Sequence, residues 1–569
     1  MVLTRSLKVL IVGGYGTFGG RLVELLEHDS RLTLLVAGRS QNRSRTYCAS
    51  RKAARATLVA AGFDRTGGVE QQLQRLRPDI VVDASGPFQN YGNRPYRLIE
   101  ACLCNGISYL DLADGAQFVA GVQVFDSQAR DAGVFVLSGV SSFPVLTAAV
   151  ARRLCSDLAV VNSIRGGIAP SPYAGVGENV IRAIASYAGQ KITLRRNGGN
   201  LSAYPFTESR RYTIAPPGRL PLRRLRFSLV DVPDLHVLTE LWPTVGTIWM
   251  GAAPAPASLH RVLSLLAWLV RLKIVRSLLP LAPFMSYVTN HVRWGEHRGG
   301  MFVEVDGENS RGEAVTRSWH LLAEGDDGPL IPSMAAQAII QHCLDGESPP
   351  PGARSAIREL NLSDYEKLFA GRSLFTGLRE SKPPSHARLY ARIFGSGWSL
   401  LPAPITQIHG VPSSSTFEGR ATVERGPGIL ARLAATIFGF PAASADVRVA
   451  VRFDLRGATE LWTRTFGDRS FSSLQSEGRG ASERLLCERF GPLKFSMALV
   501  PATDRLHLVL RRWSLCGVPL PLWAGPRSTA FETGEGGRFH FHVEIGHPLT
   551  GLIVRYRGWL VAADCAPPV

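Results

Sequence analysis

The sequence predicts an α/β chain whose first quarter is a doubly wound parallel sheet, followed by an α+β region and then a mostly antiparallel β domain. Three observations carry this prediction. An apolar strand over 8–13 runs directly into Gly14-Tyr15-Gly16-Thr17-Phe18-Gly19 and then into a helical pattern. Apolar strands then alternate with helical stretches as far as residue 137, as they do in parallel sheets covered on both faces. From residue 389 the helical period gives way to short alternating runs such as Val447-Arg448-Val449-Ala450-Val451-Arg452-Phe453, the period of a half-buried antiparallel strand.

The first strand and its loop have the spacing of a dinucleotide site. Gly14 permits a tight turn, Gly16 lets backbone amides approach a pyrophosphate, and Gly19 lets the helix close onto the strand, with the phosphates at the positive end of the helix dipole. A glycine-rich turn without a ligand is the plainer reading of such a motif alone, but the strand before it and the helix after it favour a Rossmann-type fold. The second strand, 32–37, ends at Gly38-Arg39-Ser40, where the residue reading the adenosine ribose should lie. An acid there would accept hydrogen bonds from the ribose hydroxyls of NAD, whereas a guanidinium beside a hydroxyl suits a 2′-phosphate. NADP is therefore the expected cofactor, and a solvated surface arginine is the plainer reading of Arg39.

Further strands are expected near 56–60, 79–84, 108–112 and 134–137, separated by helices over 69–76, 95–105 and 116–132. Ligands of such sheets lie beyond the carboxyl ends of the strands. Asp64 follows the third strand, placed to meet an adenine edge, and Ser85-Gly86-Pro87-Phe88 with Tyr91 follows the fourth. Asp111 and Asp114 close the fifth, and Ser141 and Ser142 follow the sixth. The nicotinamide is expected between the 85–91 loop and the 111–114 turn. Tyr91 and Asp111 are the candidate catalytic residues, against the plainer reading that short polar residues after strands anchor turns and cap helices, which is favoured for Ser141 and Ser142.

The glycine loop, Ala37-Gly38-Arg39, Ala84-Ser85-Gly86-Pro87-Phe88 with Tyr91-Gly92, and Tyr109-Leu110-Asp111-Leu112 together resemble the saccharopine dehydrogenase NADP-binding family, and within it the saccharopine dehydrogenase-like oxidoreductases of bacteria. The likeness covers about the first 145 residues and thins beyond them, where Gly352-Ala353-Arg354 and Leu362-Ser363-Asp364-Tyr365-Glu366 still fit. The resemblance implies cofactor contacts from Gly14, Tyr15, Gly16, Thr17, Phe18, Gly19, Arg39, Ser40, Asp64, Ser85, Gly86, Pro87 and Phe88. It also implies a middle region that inserts into the dinucleotide-binding fold, supplies the substrate cleft and contributes to a homodimer. It carries over no catalytic residue, because the family shares no single proton-transfer constellation.

Three domains are expected: 1–145, 146–380 and 386–569, with the second boundary at the Pro383-Pro384 segment. In the middle region a strand over 163–168, a helix over 178–187 and two antiparallel strands over 301–307 and 315–323 are predicted. The last domain reads as a curved antiparallel sheet or open barrel, with strands at 447–456, 506–511, 538–545 and 552–560 covering a helix near 428–438. It resembles a bacterial domain family of unknown function found behind saccharopine dehydrogenase-like domains, and it is expected to bind an apolar ligand or partner. His540, His542 and Glu544 share one strand face that could hold a metal, but a hydrated outer face is the better reading, so no metal is expected. Trp523 in Pro519-Leu520-Pro521-Leu522-Trp523 reads as pocket wall or core.

At 569 residues the chain is too long for one core, and its net charge of +18 suits anionic partners. The charge is dispersed without zinc-finger spacing or an aromatic RNA motif, which argues against nucleic acid. Eight unpaired-looking cysteines predict reduced thiols in a cytoplasmic setting, and the amino terminus leads straight into the first strand, leaving no room for a cleavable signal. The segment 259–281 is apolar but interrupted by Arg271, Lys273 and Arg276, so it is not expected to span a membrane; it suits either a membrane surface or a core or dimer contact. The expected function is an NADP-dependent oxidoreductase acting by hydride transfer on a hydrophobic or lipid-like small molecule. The alternative is a non-catalytic NADP-binding or ligand-carrying protein at a membrane periphery.

Overall fold

The computed structural model describes residues 6–222, 224–380, 388–411 and 413–563. Pro383 and Pro384, expected to mark a boundary, lie outside these residues, as does Cys565. Two compact units are present: Met1–Tyr212 with Leu225–Phe375, and Thr213–Arg224 with Thr376–Val569.

In the first unit, β1 (Leu7–Val12), β2 (Leu32–Gly38), β3 (Thr57–Gly62), β4 (Ile80–Asp83), β5 (Ser108–Asp111) and β6 (Phe135–Ser138) form a sheet in the order β3-β2-β1-β4-β5-β6, all parallel. This is the doubly wound order, in which the chain reverses direction across the sheet between β1 and β4 and opens a crevice there. Val9, Leu10, Ile11 and Val12 of β1 are all buried, as a central strand covered on both faces requires. The crossover helices are α1 (Thr17–Leu26), α2 (Gln41–Ser50), α3 (Val69–Leu76), α4 (Arg97–Cys104) and α5 (Ala116–Gly121). The helix expected over 116–132 is broken: α5 stops at Gly121, a 3-10 turn spans Val122–Phe125, and a separate helix runs Asp126–Asp131.

A seventh strand, Gly352–Ser355, pairs parallel to β6 after an excursion of some two hundred residues. The sequence marked Gly352-Ala353-Arg354 only by its fit to the family, not as a strand. The excursion builds six strands of a second, seven-stranded sheet, whose long central strands Leu158–Ala169, Arg298–Asn309 and Ala314–Glu324 pair antiparallel in succession. The middle region is thus threaded between β6 and its neighbour in the first sheet, and the expected helix over 178–187 is present as Glu178–Tyr187.

The apolar segment 259–281 is not one helix. A helix over Ala257–Arg271 ends before Lys273, which turns the chain at φ +60°, and a second helix follows at Ala282–His291. Among the described residues no helix is long and apolar enough to cross a membrane.

The second unit is a barrel of ten antiparallel strands, closed rather than open. Ser415–Arg425, Ser444–Arg456, Thr459–Phe466, Arg469–Glu477, Leu486–Phe490, Leu493–Pro501, Arg505–Leu515, Arg527–Glu535, Arg538–His547 and Gly551–Ala562 pair each with the next, and the last pairs with the first. Closure removes the exposed sheet edges that an open meander would carry. At the closing seam the two strands press together: a Cβ on Gly419 would fall 1.8 Å from Trp559 O, and one on Gly558 would fall 2.3 Å from Arg420 O. Val449, Val451 and Phe453 of the second strand point inward and are buried, as the alternation predicts. The expected helix near 428–438 is Ile429–Ile437. Trp523 is not core: it is 81% exposed.

Candidate active site

The glycine loop is built by backbone crowding. Gly13, at φ +81°, makes the turn, a role the spacing had suggested for Gly14. The N–H groups of Gly13 and Gly14 both donate to Ala37 O, at 2.8 and 2.9 Å, which ties the loop to the end of β2. A Cβ on Gly14 would meet Ile11 O at 2.9 Å, and one on Gly19 would lie 2.2 Å from Gly13 O. With backbone on both sides, neither contact can relax by a side-chain turn. Gly16 caps α1 without a side-chain hydrogen bond, so the first N–H groups of the helix lack intrahelical acceptors at the glycine loop. Thr17 lies under the middle region here, since a Cβ on Gly177 would come 2.7 Å from Thr17 Oγ1. Arg21 clamps the same approach by donating to Ala174 O at 2.7 Å, and its guanidinium lies 5.6 Å from the Phe18 ring.

At the end of β2, Ser40 N donates to the Tyr15 hydroxyl at 3.1 Å, so Tyr15 lies across Gly38 and links the glycine loop to the ribose end. Ser40 Oγ accepts from Arg43 N and caps α2. Arg39 is exposed, and Arg43, which the sequence reading missed, places its guanidinium 5.2 Å from the Tyr15 ring. Asp64 Oδ1 accepts from Thr66 N and Oγ1; these bonds, with a smaller contribution from the charges of Arg39 and Arg65, hold its carboxyl below the usual range.

Two strand-end carboxylates organise the far half of the crevice. Asp83, fully buried, accepts from Ser85 N and Oγ at 3.0 and 2.6 Å and from the Tyr91 hydroxyl at 3.2 Å. Tyr91 is packed beneath Arg65, whose guanidinium lies 3.2 Å from the ring centroid, and against Phe88 and Phe118. Phe88 is buried in this ring cluster. Asn179 of the middle region donates to Ser85 O and Gly86 O at 3.1 and 3.0 Å, fixing the loop before Pro87. Asp111, also fully buried, accepts from Ser138 Oγ, Gly139 N and Ala113 N through Oδ1, tying β5 to β6, and burial pushes its carboxyl up to about 7. Ser141 occupies the N-cap of the turn Ser142–Leu146 but makes no side-chain cap, so the capping role favoured for it is absent.

A second set of carboxylates converges beside this loop from two parts of the chain. Asp114 Oδ1 accepts from Gln89 Nε2 at 3.0 Å, and burial raises its carboxyl. Asp231, just after the strand Leu225–Leu229, is pushed up to about 6 by burial and then by the charge of Asp114. Tyr187, at the end of the helix that carries Asn179, is held well above the usual phenol range by burial and by both carboxylates. Asp234, fully buried three residues on, is pushed up to about 7 by burial. The sequence reading had singled out Asp114 and neither Asp231 nor Tyr187. The readable signal was an apolar strand closed by Asp231-Val232-Pro233-Asp234, the same strand-then-acid pattern as β5.

His540, His542 and Glu544 alternate along one strand, but Glu544 pairs with Arg555 at 2.7 Å and His542 stacks on Phe531. Among the described residues no cluster of three potential ligands is present.

Residues 9–137 match the saccharopine dehydrogenase NADP binding domain. The amino-terminal domain belongs to that family. Residues 401–560, which hold most of the barrel, match a domain of unknown function, DUF4166. No curated protein matches the chain. Among solved structures, the chain is similar to an apo saccharopine dehydrogenase (L-Glu forming) from Saccharomyces cerevisiae at 12% identity and a TM-score of 0.48, covering 66% of this chain and 100% of that one. A myo-inositol dehydrogenase from Corynebacterium glutamicum matches at 12% identity and a TM-score of 0.31, covering 66% of this chain and 99% of that one. The WlbA dehydrogenase from Thermus thermophilus, in complex with NAD and α-ketoglutarate, matches at 12% identity and a TM-score of 0.28, over 60% of this chain and 90% of that one. The saccharopine dehydrogenase NADP binding domain supports a nicotinamide-dinucleotide-dependent oxidoreductase whose substrate is unidentified.

The glycine crowding generates a test of the saccharopine dehydrogenase-type domain. Gly19→Ala forces α1 away from β1, costing about 1–3 kcal/mol as overpacking does. The variant is expected to melt earlier and to lose affinity for nicotinamide dinucleotide in calorimetric titration.

Proposed function

We propose that the first unit is an NADP-dependent oxidoreductase acting on a hydrophobic or lipid-like carbonyl, alcohol or enoyl compound, with Asp231 and Asp114 handling the proton. The observation that carries this reading is the pair of raised carboxylates, one from the sheet side and one from the middle region, beside the loop where a doubly wound sheet receives its ligand. The residues fit a dinucleotide: Gly13, Gly14 and Gly19 pack the loop backbone so closely that no Cβ is tolerated, and α1 begins at this loop with its first N–H groups unbonded. When bound, the cofactor supplies or accepts the hydride.

Chain residues do the remainder. Tyr15, Ser40, Arg39 and Arg43 form the ribose end, where two guanidiniums and no strand-end acid favour a 2′-phosphate. Asp83 and Asp111 act by holding the 85–91 and 138–142 loops in place, which assigns Asp111 and Tyr91 a positioning role and leaves proton transfer to the less fully bonded Asp114 and Asp231. Near neutral pH a carboxyl raised to about 6 both holds and releases a proton, as general acid–base work requires. Tyr187 and Phe206, with ring centroids 6.4 Å apart, offer an apolar wall beside the pair.

A second feature favours peripheral membrane contact through 259–281. Leu265, Leu272 and Ile274 are each more than 60% exposed, and Arg271, Lys273 and Arg276 stand among them, a combination that suits an anionic lipid surface.

Arg39→Asp is expected to weaken NADPH by about 1.5–3 kcal/mol, the value of a charge-assisted hydrogen bond, while NADH affinity changes much less. Calorimetric titration with both cofactors reads this, and equal losses would remove Arg39 from the site. In the reductive direction the protonated Asp231 is the donor, so kcat/KM with a panel of carbonyl and enoyl compounds should fall as pH rises through about 6. Asp231→Asn should flatten that limb and slow turnover by about 10²–10⁴. NADPH binding without turnover of any compound would instead favour the carrier reading. In flotation assays, wild type should rise with phosphatidylserine-containing vesicles, and Ile274→Asp should leave most of the protein at the bottom.

A further inference from the structure

The interior of the ten-stranded barrel is not filled. A cavity of about 140 Å³ lies within it, walled chiefly by Phe453, Phe466, Met497, Leu508, Phe541 and Ile545. Two short helices, Leu389–Phe394 and Ala403–His409, contribute Tyr390 and Ile408 to the same wall. The His409 ring stacks on Tyr390 at 3.7 Å, and its Nε2 lies 2.8 Å from Glu532 Oε2. An engineered protein cavity of about 150 Å³ accommodates benzene, so the volume matches one six-membered ring.

The polar groups facing this cavity are few and specific. Glu488 Oε1 accepts from Arg464 Nη2 at 2.9 Å, from Ser473 Oγ at 2.7 Å and from Gln475 Nε2 at 3.3 Å. The charge of Arg464 is thereby balanced inside the wall, and Glu532 in the same wall is engaged by His409 Nε2. Gln475 is 1% exposed, and with its amide nitrogen committed to Glu488 its Oε1 meets no hydrogen-bond donor among the described residues. The Tyr390 hydroxyl, fully buried on the same wall, likewise meets no partner among them. A buried amide oxygen without a donor is costly to keep, whereas one that faces a cavity is ready to receive a donor from a guest.

We propose that the barrel binds a neutral, ring-sized apolar molecule carrying one hydroxyl, which donates to Gln475 Oε1 while the ring fills the aromatic cavity. The site is separate from the dinucleotide crevice and does not rest on the oxidoreductase reading.

The test uses the full-length protein and three probes of equal ring size: p-cresol, toluene and benzoate, titrated calorimetrically. Saturable one-to-one binding of p-cresol is expected, with toluene about three- to tenfold weaker for the missing hydrogen bond and benzoate silent. Gln475→Leu should erase the preference for p-cresol while leaving toluene binding in place. Ala530→Phe, on a strand lining the cavity, should abolish both. NADPH titration of each variant reports the first unit independently, and near-ultraviolet circular dichroism reports the barrel. If Ala530→Phe does not fold, Gln475→Leu decides alone. A folded wild type that binds no p-cresol, or a preference for p-cresol that survives Gln475→Leu, overturns the proposal.

Discussion

The first unit depends on one close approach of backbone to backbone. Gly19 lets α1 lie so near the turn at Gly13 that a single added carbon would stand 2.2 Å from a carbonyl oxygen. This contact fixes the angle at which α1 leaves β1, and so decides where the first helical N–H groups aim. It also brings Tyr15 across to the end of β2, where its hydroxyl receives Ser40 N. The start of α1 and the end of β2 are therefore linked through one glycine loop rather than by separate devices.

Buried acids play the corresponding part at the other end of the crevice. Asp83 and Asp111 each end a strand, and each spends its hydrogen bonds on the loop that follows or on the neighbouring strand. Burial raises both, and backbone or hydroxyl donors offset part of that penalty. Asp114 and Asp231 are half-buried and meet fewer donors, and burial raises them as well. What sets the two loop-bracing carboxylates apart from Asp114 and Asp231 is their burial and this count of donors, not residue type.

The barrel solves a different problem. A meander of ten strands leaves two edges, and the chain removes them by pairing its first strand with its last across a glycine-lined seam. Closing the sheet encloses a volume that aromatic side chains line without filling, and the few polar groups inside are arranged around the buried Arg464–Glu488 pair. A flat sheet with the same alternation would have turned these side chains to solvent or to another layer.

The sequence alone determined the elements whose signals are local. The strand–glycine–helix unit, the helices Val69–Leu76 and Glu178–Tyr187, and the alternating strands of the barrel are each written within a dozen residues, because periodicity and turn chemistry act over that range. It also showed that Arg39 directly follows β2, since the apolar run stops just before it. Tertiary structure decided what depends on distant partners. Gly352–Ser355 is only four residues long, and nothing in it marks a strand until β6 stands beside it. The helix expected over 116–132 breaks where its middle turns against the sheet's last strand, a packing condition no propensity contains. Asp231 and Asp114 are more than a hundred residues apart, and their coupling exists only because the middle region folds back over the carboxyl ends of the strands. Barrel closure belongs to the same class: Gly419 and Gly558 read in isolation as weak points in strands, and only the pairing of the first strand with the last makes them the positions where two backbones must meet.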